Sequence, residues 1–207
     1  MTVEYARDNT GLLLVDPYND FLSEGGKVWP RVKEVAETVG TMKHLRELLA
    51  AVRQAGIAVF IGPHRRWRPG AFEGWLHPSP PHAGMRDMHA FAVGTWGGEF
   101  HPDLVPADGE VVCSEHWGEN AFAGTDLDLH LRQRGIENLI LAGMTAPGCV
   151  EGTGRFAIEL GYTVTLVKDA TAAYSAELMR AAHELTGQFY ARAVLTTSEV
   201  IAAMPKA

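Results

Sequence analysis

Residues 138–162 read NLILAGMTAPGCVEGTGRFAIELGY, and this stretch decides the fold class. The run NLILA is continuously apolar and too short for a helix, the pattern of a strand buried on both faces. RFAIELGY is helix-like, so a helix is predicted over 149–160, directly after a strand over 138–144. Glycine and proline crowd the junction, where the first N–H groups of a helix lack intrahelical partners. One of the two cysteines of the chain, Cys149, stands there. A thiol at such a point is either a small buried hydrophobe or a nucleophile.

Outward from that unit the same alternation recurs. GLLLV (11–15), IAVFIGP (57–63), EVVCSE (110–115), residues 163–169 and residues 193–196 read as strands. Helical spacing covers about 32–54, 125–134 and 175–186, and the last helix is short. Buried strands alternating with helices make an α/β protein with a parallel sheet covered on both faces, and such sheets bind ligands beyond the carboxyl ends of their strands. No repeat or linker divides the 207 residues, so 1–207 is read as a single domain. Residues 64–98, rich in proline, glycine and histidine, form a long irregular connection, expected to cover an active site or to make a subunit contact.

Composition narrows the function classes. The formal charge of −7 excludes the clustered basic surface that nucleic acid or anionic lipid requires. The one basic cluster, HRRWR at 64–68, reads as a solvated loop or subunit contact before an anion site. No apolar run approaches the ~20 residues of a membrane span. The first residues lack the basic start and apolar core of a secretory signal, so a cytoplasmic location is expected. Cys113 and Cys149 cannot build a disulfide framework, and no zinc spacing occurs.

The strand ends are therefore where chemistry is expected. Asp16 ends the first strand, Glu115 and His116 end the EVVCSE strand, and Cys149 follows NLILAGM. An Asp before Pro is often only a turn former. A helix starting near Gly148 would hold a Cys149 thiolate among unpaired N–H groups and lower its pKa, and the same donors could receive an oxyanion. Cys113, inside VVCSE, reads as a buried hydrophobe.

Several motifs, in order along nearly the whole chain, carry a resemblance: LLLVDPYNDF at 12–21, GTWGGEFHPDL at 94–104, HWGENAFAGTDLDLHLRQRGI at 116–136, and the stretch from LILAGMTAPGCVEGT to DATAAY at 139–174. In these the chain resembles the isochorismatase-like cysteine hydrolases. The resemblance implies a three-layer α/β/α sandwich with a mostly parallel six-stranded sheet. It implies cleavage of a C–N bond in a small amide, lactam or carbamoyl-type substrate through a thioester. The alternatives are vinyl ether hydrolysis of the isochorismate type, against which a retained Cys149 speaks, and a non-catalytic binding protein on the same fold. The family's Asp and Cys fall on Asp16 and Cys149, as base and nucleophile. The resemblance also implies a cis peptide at Met144-Thr145, with the backbone amides of Thr145 and Cys149 as the oxyanion hole.

The family's lysine has no match. Its spacing before the AF of NAFAGTDL reaches His116, and no lysine occurs between Lys43 and Lys168. Alternation along a strand favours His116 over Glu115 as the group facing the site. An imidazole in that place supplies charge only when protonated. No metal and no cofactor are expected: His64 lacks the D-x-H companion of nicotinamidase-type members, and His77, His82 and His89 read as exposed loop residues. Phe21, Trp117, Phe122 and Glu115, all beside catalytic positions, are the candidate substrate contacts. A homodimer or homotetramer is expected, with a small molecule as the only other partner.

Overall fold

A computed structural model describes residues 4–205, so the two ends of the domain read over 1–207 lie outside the described residues. Six strands make one sheet: β1 (Thr10–Val15), β2 (Ala58–Gly62), β3 (Val111–Val112), β4 (Asn138–Met144), β5 (Thr163–Ala172) and β6 (Ala193–Leu195). All neighbours pair parallel, in the order β3-β2-β1-β4-β5-β6. The helices are α1 (Asn19–Leu22), α2 (Trp29–Val39), α3 (Thr41–Ala55), α4 (Pro80–Asp87), α5 (Leu127–Gln133), α6 (Glu151–Glu159), α7 (Ala176–Arg180) and α8 (Thr197–Ala202). Among the described residues no helix is long and apolar enough to cross a membrane.

The continuous apolar runs have a direct explanation in the layers. Side chains alternate along β1, so Leu12 and Leu14 enter one core with Val32 of α2, Leu45 and Leu48 of α3 and Val200 of α8. Leu13 and Val15 enter the other, with Leu127 and Leu131 of α5 and Ala157 of α6. Both faces must therefore be apolar, and the architecture is the three-layer α/β/α sandwich. Each buried leucine contributes about 1.5–3 kcal/mol, so the central strand anchors both cores.

Several elements differ from the sequence reading. The helix expected over 32–54 is two helices, because Gly40 adopts φ 75°, ψ 35° between α2 and α3, a conformation that glycine enters without a Cβ penalty. The strand expected over 110–115 pairs regularly only at Val111–Val112; it is an edge strand, and the Ser114 N–H leaves the sheet to donate to Asp126 Oδ1 at 2.7 Å. The helix expected from Cys149 begins at Glu151, after a wide turn over Ala146–Val150 in which Gly148 is non-helical. Residues 64–98 contain α4, whose Pro80 and Pro81 occupy the first turn, where the missing N–H costs nothing.

Gly143 brings the two principal strand ends together. It has φ 114°, the pairing of β4 with β5 shifts there, and a Cβ would overlap the carbonyl oxygen of Val15. The end of β4, which leads to Cys149, thus lies against the end of β1, which leads to Asp16. Gly143→Ala is expected to lower the melting temperature by at least ~2–4 °C, the shift that about 1 kcal/mol gives in a chain of this size. An unchanged melting curve by circular dichroism would remove this account of the junction.

Candidate active site

Three chain segments deliver the site. Asp16 follows β1 with φ 53°, uncommon for a residue with a side chain, and its N–H is tied to the Gly62 carbonyl at 3.2 Å. His116 is placed by a continuation of the β2–β3 contact past the regular strands. Its N–H donates to Pro63 O at 2.9 Å, its carbonyl accepts from Arg65 N–H at 2.8 Å, and it forms a parallel bridge with His64. Cys149 sits in the wide turn after β4, and the Met144-Thr145 peptide before that turn is cis.

Asp16 and His116 are both fully buried, with Oδ1 and Nε2 3.0 Å apart. His116 Nδ1 lies 2.7 Å from the Gly118 carbonyl oxygen. Both ring nitrogens therefore face acceptors, which suits an imidazolium. Burial pulls the His116 pKa down, but the charge of Asp16, its hydrogen bond and the Gly118 carbonyl together raise it above the ordinary value. Asp16 Oδ2 has no hydrogen-bond partner. A carboxylate oxygen of Asp16, a ring nitrogen of His116 and the Cys149 sulfur lie within 4.8 Å of one another. Sγ is also 4.0 Å from Gly118 O.

The expected lowering of the thiol pKa is overturned. Cys149 is held well above its usual range, first by burial, then by the adjacent Asp16 carboxylate, and then by Glu119, while its own backbone N–H pulls the other way. The reason is positional, since the sulfur lies beneath the surface beside a carboxylate and not at the open first turn of α6. At rest the cysteine is a thiol whose proton faces an acceptor.

A cavity of about 80 Å³ opens beside the sulfur, small against the ~300–1,000 Å³ usual for ligand pockets. Phe21 is in its wall as expected, with Pro81 and Met85 of α4 and Tyr174. His64, His82, Glu119 and Thr145 supply its polar groups. Hollows of about 810 and 670 Å³ lie elsewhere on the surface, but Cys149 lines neither of them. Chemistry, not volume, identifies the site.

The other candidate contacts are elsewhere. Phe122 is core, packed on Phe156 and Tyr162. Trp117 is partly exposed and lies under the Arg65 guanidinium at 3.9 Å from its ring centroid. Glu115 turns to the opposite side, accepting from Arg66 Nε at 2.7 Å. His82 is buried, correcting its reading as an exposed loop residue, and so is His64, whereas His77 and His89 are exposed as expected. Burial draws His64 down to about 4 and lowers His82. The connection over 64–98 is pinned above the site by Asp20, which accepts from Phe91 N–H at 2.7 Å and Lys27 N–H at 2.9 Å. Nothing near Asp20 in the sequence signals this, because its partner is distant in the chain.

Among the described residues the group of ligating side chains close enough for a metal is Asp16, His116 and Cys149 itself. His64 and His82 belong to no such group, with one nitrogen each turned to Arg65 O and Ser79 Oγ.

A thiol, a carboxylate and an imidazolium buried at the carboxyl edge of a parallel sheet define an α/β protein with a cysteine-centred acid–base site. Residues 10–199 match the Isochorismatase domain family, and the chain belongs to that family of hydrolases. The ureidoacrylate amidohydrolase RutB of Rhizobium rhizogenes is 30% identical over 173 residues, 78% of this chain and 70% of that protein. A crystal structure of an isochorismatase family protein from Desulfovibrio vulgaris matches with a TM-score of 0.77 at 29% identity, over 95% of this chain and 100% of that one. N-carbamoylsarcosine amidase from Thermoplasma acidophilum shares the fold, with a TM-score of 0.66 at 24% identity over 91% and 96% of the two chains.

Proposed function

We propose that the protein hydrolyses a C–N bond of a small amide, lactam or carbamoyl-type substrate through a thioester on Cys149. The observation that carries this reading is the Cys149 thiol within reach of a buried Asp16 carboxylate whose Oδ2 is unpartnered while Oδ1 is held by His116. The amidohydrolase relative at 30% identity supports the bond type. Assembly as a homodimer or homotetramer belongs to the same proposal, supported by exposed Leu76 and Phe189.

The thiol proton passes to Asp16 as sulfur attacks the substrate carbonyl carbon, and the carbonyl pair moves to oxygen, where the amides of Thr145 and Cys149 receive it. The C–N bond then breaks, with the proton returning from Asp16 to the departing nitrogen. Water, losing a proton to Asp16, attacks the thioester; the acid leaves and the thiol is restored. His116 keeps its charge throughout, so that Asp16 can lose and gain a proton in a dry site.

A panel of amides, lactams and ureas small enough for the cavity tests this. Release of ammonia or amine, with an acyl mass on the Cys149 peptide after rapid acid quench, is expected. Turnover with no adduct under single-turnover conditions, or an adduct on another residue, would refute the thioester route.

A further inference from the structure

The charges around the cavity do not balance, and their inventory is short. Asp16 and His116 form a neutral pair at 3.0 Å. His64 and His82 are neutral, drawn down by burial. No lysine or arginine is among the cavity's lining residues. Of the nearby guanidinium groups, Arg66 is bound to Glu115, and Arg65 is stacked on Trp117 with its Nε unpartnered; neither lines the cavity. Arg31 is felt at Tyr174 from outside the lining.

Glu119 is different. It lines the cavity, its Cδ lies 4.0 Å from where a Cβ on Gly148 would stand, and its charge is felt at His82, Cys149 and Tyr174. The residue is exposed to solvent at the cavity mouth, and among the described residues no hydrogen bond or ion pair ties up its carboxylate. The loop that carries it is fixed, since Ala121 N–H donates to Thr153 Oγ1 of α6 at 3.0 Å and His116 Nδ1 is bound to Gly118 O. An unpaired carboxylate is thus held at the entrance to an otherwise neutral, largely apolar chamber.

We infer that Glu119 is the specificity-determining residue of this cavity, and that the small amide it selects carries a cationic group and no carboxylate. The inference rests on the amide-hydrolase reading for its substrate class, but its charge preference is a property of binding and is measurable without turnover. A carboxylate on the substrate would meet Glu119 with no cation in the lining to receive it. An ammonium would meet its complement, and discrimination of this kind comes as much from repelling the wrong partner as from holding the right one.

Three amides of similar length separate the possibilities: β-alaninamide (cationic), butyramide (neutral) and succinamate (anionic). Ammonia release by the wild type at neutral pH is expected to give kcat/KM at least ~10-fold higher for β-alaninamide than for succinamate, with butyramide between. Glu119→Gln is expected to shrink that ratio to within about threefold, and Glu119→Lys to reverse it. Titration calorimetry of the three amides into Cys149→Ala is expected to give the same order in affinity. Succinamate bound as tightly as β-alaninamide, or a ratio untouched by Glu119→Gln, overturns the inference while leaving the hydrolase reading standing. The expected binding order with no ammonia released from any of the three supports the inference and counts against the hydrolase reading instead.

Discussion

Cys149→Ala is expected to abolish turnover, lowering kcat/KM by at least ~10⁴-fold, while the melting temperature stays within a few degrees of the wild type. The first half follows from covalent chemistry, because without sulfur there is no acyl carrier and Asp16 has no proton to take. The second follows from the resting state. Cys149 is a neutral, buried thiol in contact with an acid, so its removal leaves no stranded charge and only a small void. Cys149→Ser is expected to be nearly as inactive, since an alcohol gives up its proton far less readily than a thiol to the same carboxylate. Retention of more than about a tenth of wild-type kcat/KM by the serine variant would show that sulfur is not the attacking atom.

The raised pKa also sets what alkylation reports. Iodoacetamide reacts with the thiolate, and at neutral pH the resting site holds a thiol that is 7% exposed, so labelling of Cys149 is expected to be slower than that of an exposed free cysteine. Slow labelling is compatible with fast catalysis, because proton transfer to Asp16 is coupled to attack on a bound carbonyl and no standing thiolate is required. A thiolate present at rest would label quickly and would contradict the burial of the sulfur.

The strands were legible because a sheet covered on both faces demands unbroken apolar runs, and GLLLV and NLILA are such runs. Asp16 and Cys149 stand out by the rule that strand ends carry chemistry, and His116 by the spacing that the family resemblance implies, with alternation favouring it over Glu115. What failed did so for stated physical reasons. A sequence shows that a cysteine lies near a helix start; it does not show that the sulfur is buried beside a carboxylate, and that neighbour reverses the direction of the pKa shift. Trp117 and Phe122 are near His116 in sequence, yet after β3 the chain turns, and they face an arginine and a core. His82 and Met85 reach the cavity only because α4 folds back over it, and its prolines read as loop until the first-turn position is known. Glu119 is three residues past His116 and its sequence context is silent; only the absence of a cation around it makes it conspicuous.

His116→Asn is expected to cost both activity and stability, and the pH dependence of the stability loss identifies the imidazolium. The site holds a carboxylate with no other cation in contact, so removing the positive partner strands Asp16 in a fully buried place, a change that costs about 3–5 kcal/mol. In a chain of this size that corresponds to a melting temperature lower by roughly 6–20 °C. The same loss favours a protonated Asp16, which has no site free for the thiol proton, if charge and not shape is what His116 contributes; kcat/KM is expected to fall by about 10²–10³-fold. His116→Lys, which restores charge at the cost of geometry, is expected to retain more activity than the asparagine variant. The sign with pH follows from the direction of the shift. The His116 pKa is raised in the folded protein, so its stabilising contribution is complete below the unfolded value of ~6.5 and is lost as pH rises through the higher folded value. The difference in unfolding free energy between wild type and His116→Asn should therefore be greatest near pH ~6 and shrink toward pH ~9. A difference that grows over that interval would mean a neutral imidazole beside Asp16, and the charge that the family's lysine carries would have to come from another group.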